Sequence, residues 1–181
     1  MNARRSAPLS VGLTLALVMA GLAAAFVLPE GAAATVHTPA VHELPGGVWL
    51  AGQVTPAQLR ELRARGLAAV VAVRPDGEAP GQPSAAEMAR AAHALGIAFD
   101  YVPVAPGTMP AEAVAAPVQP VLVYCRSGHR AAHIWALAEA SRPGGLEATA
   151  IEAAVRSAGQ SVDDIDGALR SRVAARPGPT R

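Results

Sequence analysis

The chain has 181 residues, enough for one domain with a substantial core. It is 51% hydrophobic and 3% aromatic, contains no lysine, and carries a net charge of +1; no basic stripe stands out, which argues against a nucleic-acid footprint. Its single cysteine, Cys125, excludes an intramolecular disulfide and a cysteine-cluster metal site.

Arg4 and Arg5 precede an apolar stretch over residues 9–28, interrupted only by Ser10, Gly12, Thr14 and Gly21. That is about the twenty residues a helix needs to cross a bilayer. A basic flank stays on the cytoplasmic side, which places the rest of the chain outside. Residues 1–29 therefore read as a single-pass membrane anchor. Ala32-Ala33-Ala34 offers a small-residue cleavage site, so the rival reading is a signal segment and a secreted or periplasmic domain. The length of the apolar stretch favours the anchor. Residues 30–46, rich in Ala, Gly, Pro and His, read as a linker.

The catalytic domain is expected over residues 47–175. Val48-Trp49-Leu50 is a short first strand. Thr55 caps a helix with Pro56 at its first position and Gly66 beyond its end. Residues 67–73 are a continuous apolar strand, buried on both faces. Arg74-Pro75-Asp76-Gly77 is turn chemistry, extended by a Gly/Pro-rich loop. Ser84 caps the next helix, which ends at Leu95 before Gly96. Residues 97–104 are a strand, followed by a loop and about two helical turns over residues 111–119. A strand over 120–124 and a helix to Ser141 follow. Two helices are expected at 146–158 and 161–174, the second capped by Ser161 with Asp163 and Asp164 in its first turn. Residues 176–181 read as a disordered tail. Strands alternating with helices predict an α/β fold with a largely parallel sheet.

The chemistry concentrates at Val121-Leu122-Val123-Tyr124-Cys125-Arg126-Ser127-Gly128-His129-Arg130. Strand, short polar loop and helix in that order make an anion cradle of loop amides and a helix N-terminus. Free thiols titrate near roughly 8.5, and a cradle of this kind favours the thiolate, the reactive form. Cys125 therefore reads as a nucleophile. Cysteine-dependent phosphatases use Cys-x-x-Gly-x-x-Arg, usually after a histidine. Rhodanese-type sulfurtransferases use a shorter loop, often Cys-Arg-x-Gly-x-Arg. Here the arginine comes five residues after the cysteine, the sixth position is Ala131, and Tyr124 stands in place of the histidine. The spacing favours the sulfurtransferase form.

His37, His42, His93, His129 and His133 form no recognised metal spacing. His129 and His133, four apart, share a helix face as zinc ligands sometimes do, but no acidic partner motif accompanies them. They read as surface or loop histidines; no metal and no cofactor is expected.

Residues from about 47 to 159 resemble the phosphatase-like domain found fused to, or beside, metallo-β-lactamase-type hydrolases, the beta-lactamase hydrolase-like family. The resemblance rests on Leu50-Ala51-Gly52-Gln53-Val54-Thr55-Pro56, Arg74-Pro75-Asp76-Gly77-Glu78 and Pro80-Gly81-Gln82-Pro83-Ser84. Tyr101-Val102-Pro103-Val104, Pro106-Gly107 and the cysteine loop complete it. It implies a fold like that of the dual-specificity phosphatases and a role in sulfide or persulfide handling. A metallo-β-lactamase-type persulfide-handling enzyme is the implied partner. One departure is a shorter helical segment before the cysteine strand.

The expected reaction is sulfur transfer. Cys125 takes sulfur from a sulfane-sulfur donor and passes it to an acceptor thiol. Amides of residues 126–130, including those of Ser127, Gly128 and His129, hold the anion. Arg130 supplies a fixed charge with a fork that suits oxyanions. Arg126 points to substrate or to solvent, and Ser127 assists the thiolate or faces solvent. Gly128 permits the tight turn. A phosphatase reaction needs an acid for the leaving oxygen, typically worth about a hundredfold to ten-thousandfold. The Ala105-Pro106-Gly107-Thr108 loop has no carboxylate. Asp76 is the candidate general acid, although a Pro-Asp-Gly turn role fits it better. A hydrolase acting through a Cys125 phosphoenzyme is thus the second reading. A non-catalytic anion-binding or redox-sensing module is the third.

Overall fold

The computed structural model describes residues 40–108 and 118–177. The expected anchor or signal segment at 1–29 and most of the segment at 111–119 lie outside the described residues. Among the described residues, no helix is long and apolar enough to cross a membrane.

The described chain opens on a hairpin of strands β1 (Val41–Leu44) and β2 (Val48–Ala51), paired antiparallel with Leu44 opposite Val48. Gly46 and Gly47 turn the corner at positive φ, as tight hairpins require. Residues 41–44, which composition assigned to the linker, are thus an edge strand. Pairing with β2 overrides the linker-like composition. Helix α1 (Pro56–Ala64) starts with a capping box. The Gln58 N–H donates to Thr55 Oγ1 at 3.4 Å, and the Thr55 N–H donates to Gln58 Oε1 at 2.8 Å. Strand β3 (Ala69–Ala72) is buried throughout, as a parallel strand covered on both faces must be. Helix α2 (Ala85–Ala94) repeats the capping box with Ser84 and Glu87. Strand β4 (Ala98–Tyr101) ends before Pro103, which cannot donate to a ladder.

Strand β5 (Val121–Tyr124) leads into helix α3 (His129–Ser141). Helix α4 (Ala148–Ser157), a 3-10 turn (Asp163–Ile165) and helix α5 (Asp166–Ala174) follow. Ser161 does not cap α5, which begins at Asp166 after Ile165; its Oγ accepts the Asp163 N–H at 3.0 Å just before the 3-10 turn.

The sheet order is β1-β2-β5-β3-β4, with β1 antiparallel and the remaining pairs parallel. The strand period of two divides the core. Val121 and Val123 of β5 face a cluster with Ile134, Leu137, Ile151 and Leu169 from α3, α4 and α5. Leu122 and Tyr124 face the other way, onto Leu59, Leu62 and Met88 of α1 and α2. The consequence for function is positional. Strand β5 lies inside the sheet between β2 and β3, so its carboxyl end opens between two loops, where parallel sheets hold ligands.

Arg176 corrects the expected tail. Its guanidinium donates to the carbonyls of Ala140 (2.7 Å), Gly145 (2.7 Å), Glu139 (2.9 Å) and Leu146 (2.6 Å). These include orphan acceptors at the C-terminus of α3, where a cation also meets the negative end of the helix dipole.

Candidate active site

Cys125 follows β5 directly and is buried, 1% exposed. Its Sγ accepts the Gly128 N–H at 3.2 Å. Gly128 sits at φ 97°, left-handed, as the residue before α3. The positive φ is what calls for glycine; a Cβ there would also approach Gln160 Nε2 to 3.1 Å.

The loop is held from outside itself. The Arg126 carbonyl accepts the Gln53 N–H at 3.1 Å. It lies so close to Gly52 that a Cβ would approach it to 3.1 Å. Gln160 Nε2 donates to the Ser127 carbonyl at 3.1 Å. These contacts account for Gly52-Gln53 in the motif that follows β2. They also add Gln160, from beyond α4, which sequence reasoning missed.

Arg130 does not stand free. Its Nη1 donates to Glu78 Oε1 and to the Val104 carbonyl, both at 2.6 Å, and its Nη2 donates to Glu78 Oε2 at 2.8 Å. Arg74, 6% exposed, donates from Nε to Glu78 Oε2 at 2.9 Å and from Nη1 to Gln53 Oε1 at 2.8 Å. The motif segments around Gln53, Glu78, Val104 and Arg130 therefore meet in one hydrogen-bonded network. Gln82 of the Pro-Gly-Gln-Pro loop donates to the carbonyl of Pro75, the residue after Arg74, at 2.8 Å. In the sequence Glu78 stands out only as the end of the Arg74-Pro75-Asp76-Gly77-Glu78 motif. A carboxylate four residues after an arginine in a turn was the available signal.

Hydrogen bonding from Arg130, against a smaller opposing effect of burial and with further help from Arg74, holds Glu78 below the usual carboxylate range. The Glu78 hydrogen bond raises Arg130, and the Cys125 sulfur beside it adds to the effect. Burial pushes the Tyr124 hydroxyl up to about 12. The residue in place of the phosphatase histidine therefore stays neutral.

A cavity of about 270 Å³ opens over this network, lined by Glu78, Pro106, Gly107, Arg126, Ser127, His129 and Arg130. Three of the expected anion-binding residues, Arg126, Ser127 and His129, reach it. Gly128 shapes the loop and lines the neighbouring hollow instead. Asp76 is not among the lining residues. Its Oδ1 accepts the Ala85 N–H at 2.7 Å, and its own N–H donates to the Tyr101 hydroxyl at 2.9 Å. The carboxylate thus ties the Pro75-Asp76-Gly77 segment to the start of α2. His133 is another correction. It is 5% exposed, not a surface residue, because it lies on the inward face of α3.

A family model described as the beta-lactamase hydrolase-like protein, phosphatase-like domain, matches residues 43–142. The chain belongs to that family. It is 35% identical over 98 residues to a beta-lactamase hydrolase-like protein of Agrobacterium fabrum strain C58, covering 50% of this chain and 23% of that protein. The match thus spans less than a quarter of the relative's length. Among solved structures, a "putative phosphatase" of Neisseria meningitidis Z2491 aligns with a TM-score of 0.63 at 23% identity, over 74% of this chain and 98% of that one. A second, from Shewanella putrefaciens CN-32, aligns with a TM-score of 0.59 at 18% identity, over 77% and 93%. At those identities the likeness establishes the phosphatase-like fold of the family.

Proposed function

We propose that the domain is a cysteine-dependent sulfurtransferase. The observation that carries this reading is the state of Glu78. Among the described residues that line the cavity it is the one carboxylate, and two guanidinium groups keep it ionised. An ionised carboxylate cannot protonate an alkoxide leaving group. Sulfite and thiolates leave without that help. In the proposed reaction the Cys125 thiolate attacks the outer sulfur of thiosulfate. An Sγ–S bond forms, the S–S bond of thiosulfate breaks, and sulfite departs with the electron pair. An acceptor thiolate then attacks the terminal sulfur of the Cys125 persulfide, which returns the thiolate and yields an acceptor persulfide. Arg130 and the loop amides hold the anionic end of the donor.

A phosphatase-like hydrolase is the second reading, supported by the family's fold and by the Arg126 and Arg130 guanidinium groups at the cavity. The proposed partner is a metallo-β-lactamase-type enzyme that consumes the persulfide. The proposed setting is a membrane-tethered or exported domain outside the cytoplasm. A non-catalytic anion-binding or thiol redox-sensing module is the third reading; Cys125→Ser separates it from the enzymes, because simple anion binding should survive in that variant while catalysis should vanish.

The test is the intact mass of the full-length protein in detergent after incubation with thiosulfate or glutathione persulfide. A gain of about 32 Da that dithiothreitol removes, and that Cys125→Ser lacks, marks a persulfide rather than a sulfinic acid. No gain, together with Cys125-dependent phosphate release from an aryl phosphate, establishes the hydrolase instead.

A further inference from the structure

His129 and His133 lie one turn apart at the start of α3, so both rings project from the same side of the helix. The ring centroids are 4.1 Å apart at an interplanar angle of 60°. Asp164, from the 3-10 turn, faces both. Its Oδ1 is 3.2 Å from His133 Nε2, and its Oδ2 is 4.0 Å from His129 Nε2. One ligand-capable atom from each residue falls within 4.8 Å of the other two. This is the acidic partner that no local motif announced.

We propose that His129, His133 and Asp164 bind a divalent transition-metal ion of the zinc class at the edge of the cavity that His129 lines. The donor set, two imidazoles and one carboxylate, is one that zinc takes with a fourth position left open. Tetrahedral zinc with bonds of about 2.0–2.2 Å places its ligand atoms roughly 3.3–3.5 Å apart. His133 Nε2 and Asp164 Oδ1, at 3.2 Å, already stand close to that value, and the three ligand atoms all lie within 4.8 Å of one another. Burial fixes His133, whose side chain is 6% exposed, while the His129 and Asp164 side chains are 47% and 61% exposed and free to close by about an ångström. His133 Nε2 also lies 3.2 Å from the Ser161 carbonyl, a contact the ion would replace. The positive end of a helix disfavours a cation, and the Asp164 carboxylate is the charge that offsets it. The ion would tie the start of α3, which carries the cysteine loop, to the C-terminal 3-10 turn. The inference is independent of which group Cys125 transfers.

The experiment is a titration of the full-length protein in detergent with Co(II), followed by displacement with Zn(II). The visible absorption of tetrahedral cobalt is the readout. One ion per chain is expected, retained in Cys125→Ser. Asp164→Asn and His129→Gln, both at exposed side chains, should weaken binding by more than the roughly 10–100-fold that loss of an outer-shell partner costs. Far-UV circular dichroism of each variant establishes that it is folded. Zinc should also raise the melting temperature of the unsubstituted protein and not that of Asp164→Asn. No saturable binding, equal binding in folded Asp164→Asn and His129→Gln, or binding lost only with Cys125→Ser would each overturn the proposal.

Discussion

At Glu78 one carboxylate meets two guanidinium groups, and the site's electrostatics follow from that meeting. Arg74 and Glu78 side chains are 5% and 13% exposed, so the pairing is formed largely away from water. Replacing Glu78 with Gln leaves Arg74 and Arg130 without their anion. We expect a loss on the order of 1–3 kcal/mol in urea unfolding and slower persulfide formation, because Arg130 loses the contact that aims it. The sign of the pH dependence also follows. Glu78 holds its proton less tightly folded than unfolded, so its contribution is present above the ordinary value of 4.5 and disappears as pH falls through the lowered one. The unsubstituted protein should therefore lose stability more steeply below that pH than Glu78→Gln does. Equal slopes would show that the network carries no such linkage. The cysteine, its loop and Arg130 were legible in the sequence because they are contiguous. Glu78 was not legible as their partner, since it lies 52 residues from Arg130.

At the scale of elements, local chemistry predicted the starts of α1 and α2. Thr55 and Ser84 each form the capping box that their spacing to Gln58 and Glu87 announces. Ser84→Ala should cost about 1 kcal/mol of unfolding free energy, with catalysis unchanged within a few-fold. The turn before α3 is different in kind. Gly128→Ala forces a side chain into the left-handed region, at about 1–2 kcal/mol, and crowds Gln160. Because that turn aims the Gly128 N–H at Cys125, persulfide formation should fall along with stability; a variant that loses stability alone would separate the turn from the chemistry. Strand limits were less legible than caps. Residues 41–44 look like linker until they pair with β2, and β4 stops where Pro103 withholds a donor.

At the scale of the molecule, the C-terminal helices brace the loop that carries the cysteine. Gln160 reaches the Ser127 carbonyl, and Arg176 closes the end of α3 through contacts 30 to 37 residues away in sequence. The side chain of Arg176 is 10% exposed. Removing it takes four hydrogen bonds from the carbonyls of Glu139, Ala140, Gly145 and Leu146, so Arg176→Ala should lower stability by about 2 kcal/mol, measured by urea denaturation. An unchanged midpoint would return this residue to the disordered tail that composition suggested.

By itself the sequence determined the cysteine loop and its length, the described strands and helices from β2 to α4 and the family, because each is written in neighbouring residues or in a repeating period. Only the tertiary structure decided that Glu78 rather than Asp76 meets the arginine of the loop, and that Asp164 faces the two histidines. It alone also placed Arg176 inside the fold. The reason is common to all three. Such contacts join residues that the chain keeps far apart, and their geometry exists only once β5 is seated within the sheet and α3 is packed beneath the C-terminal helices.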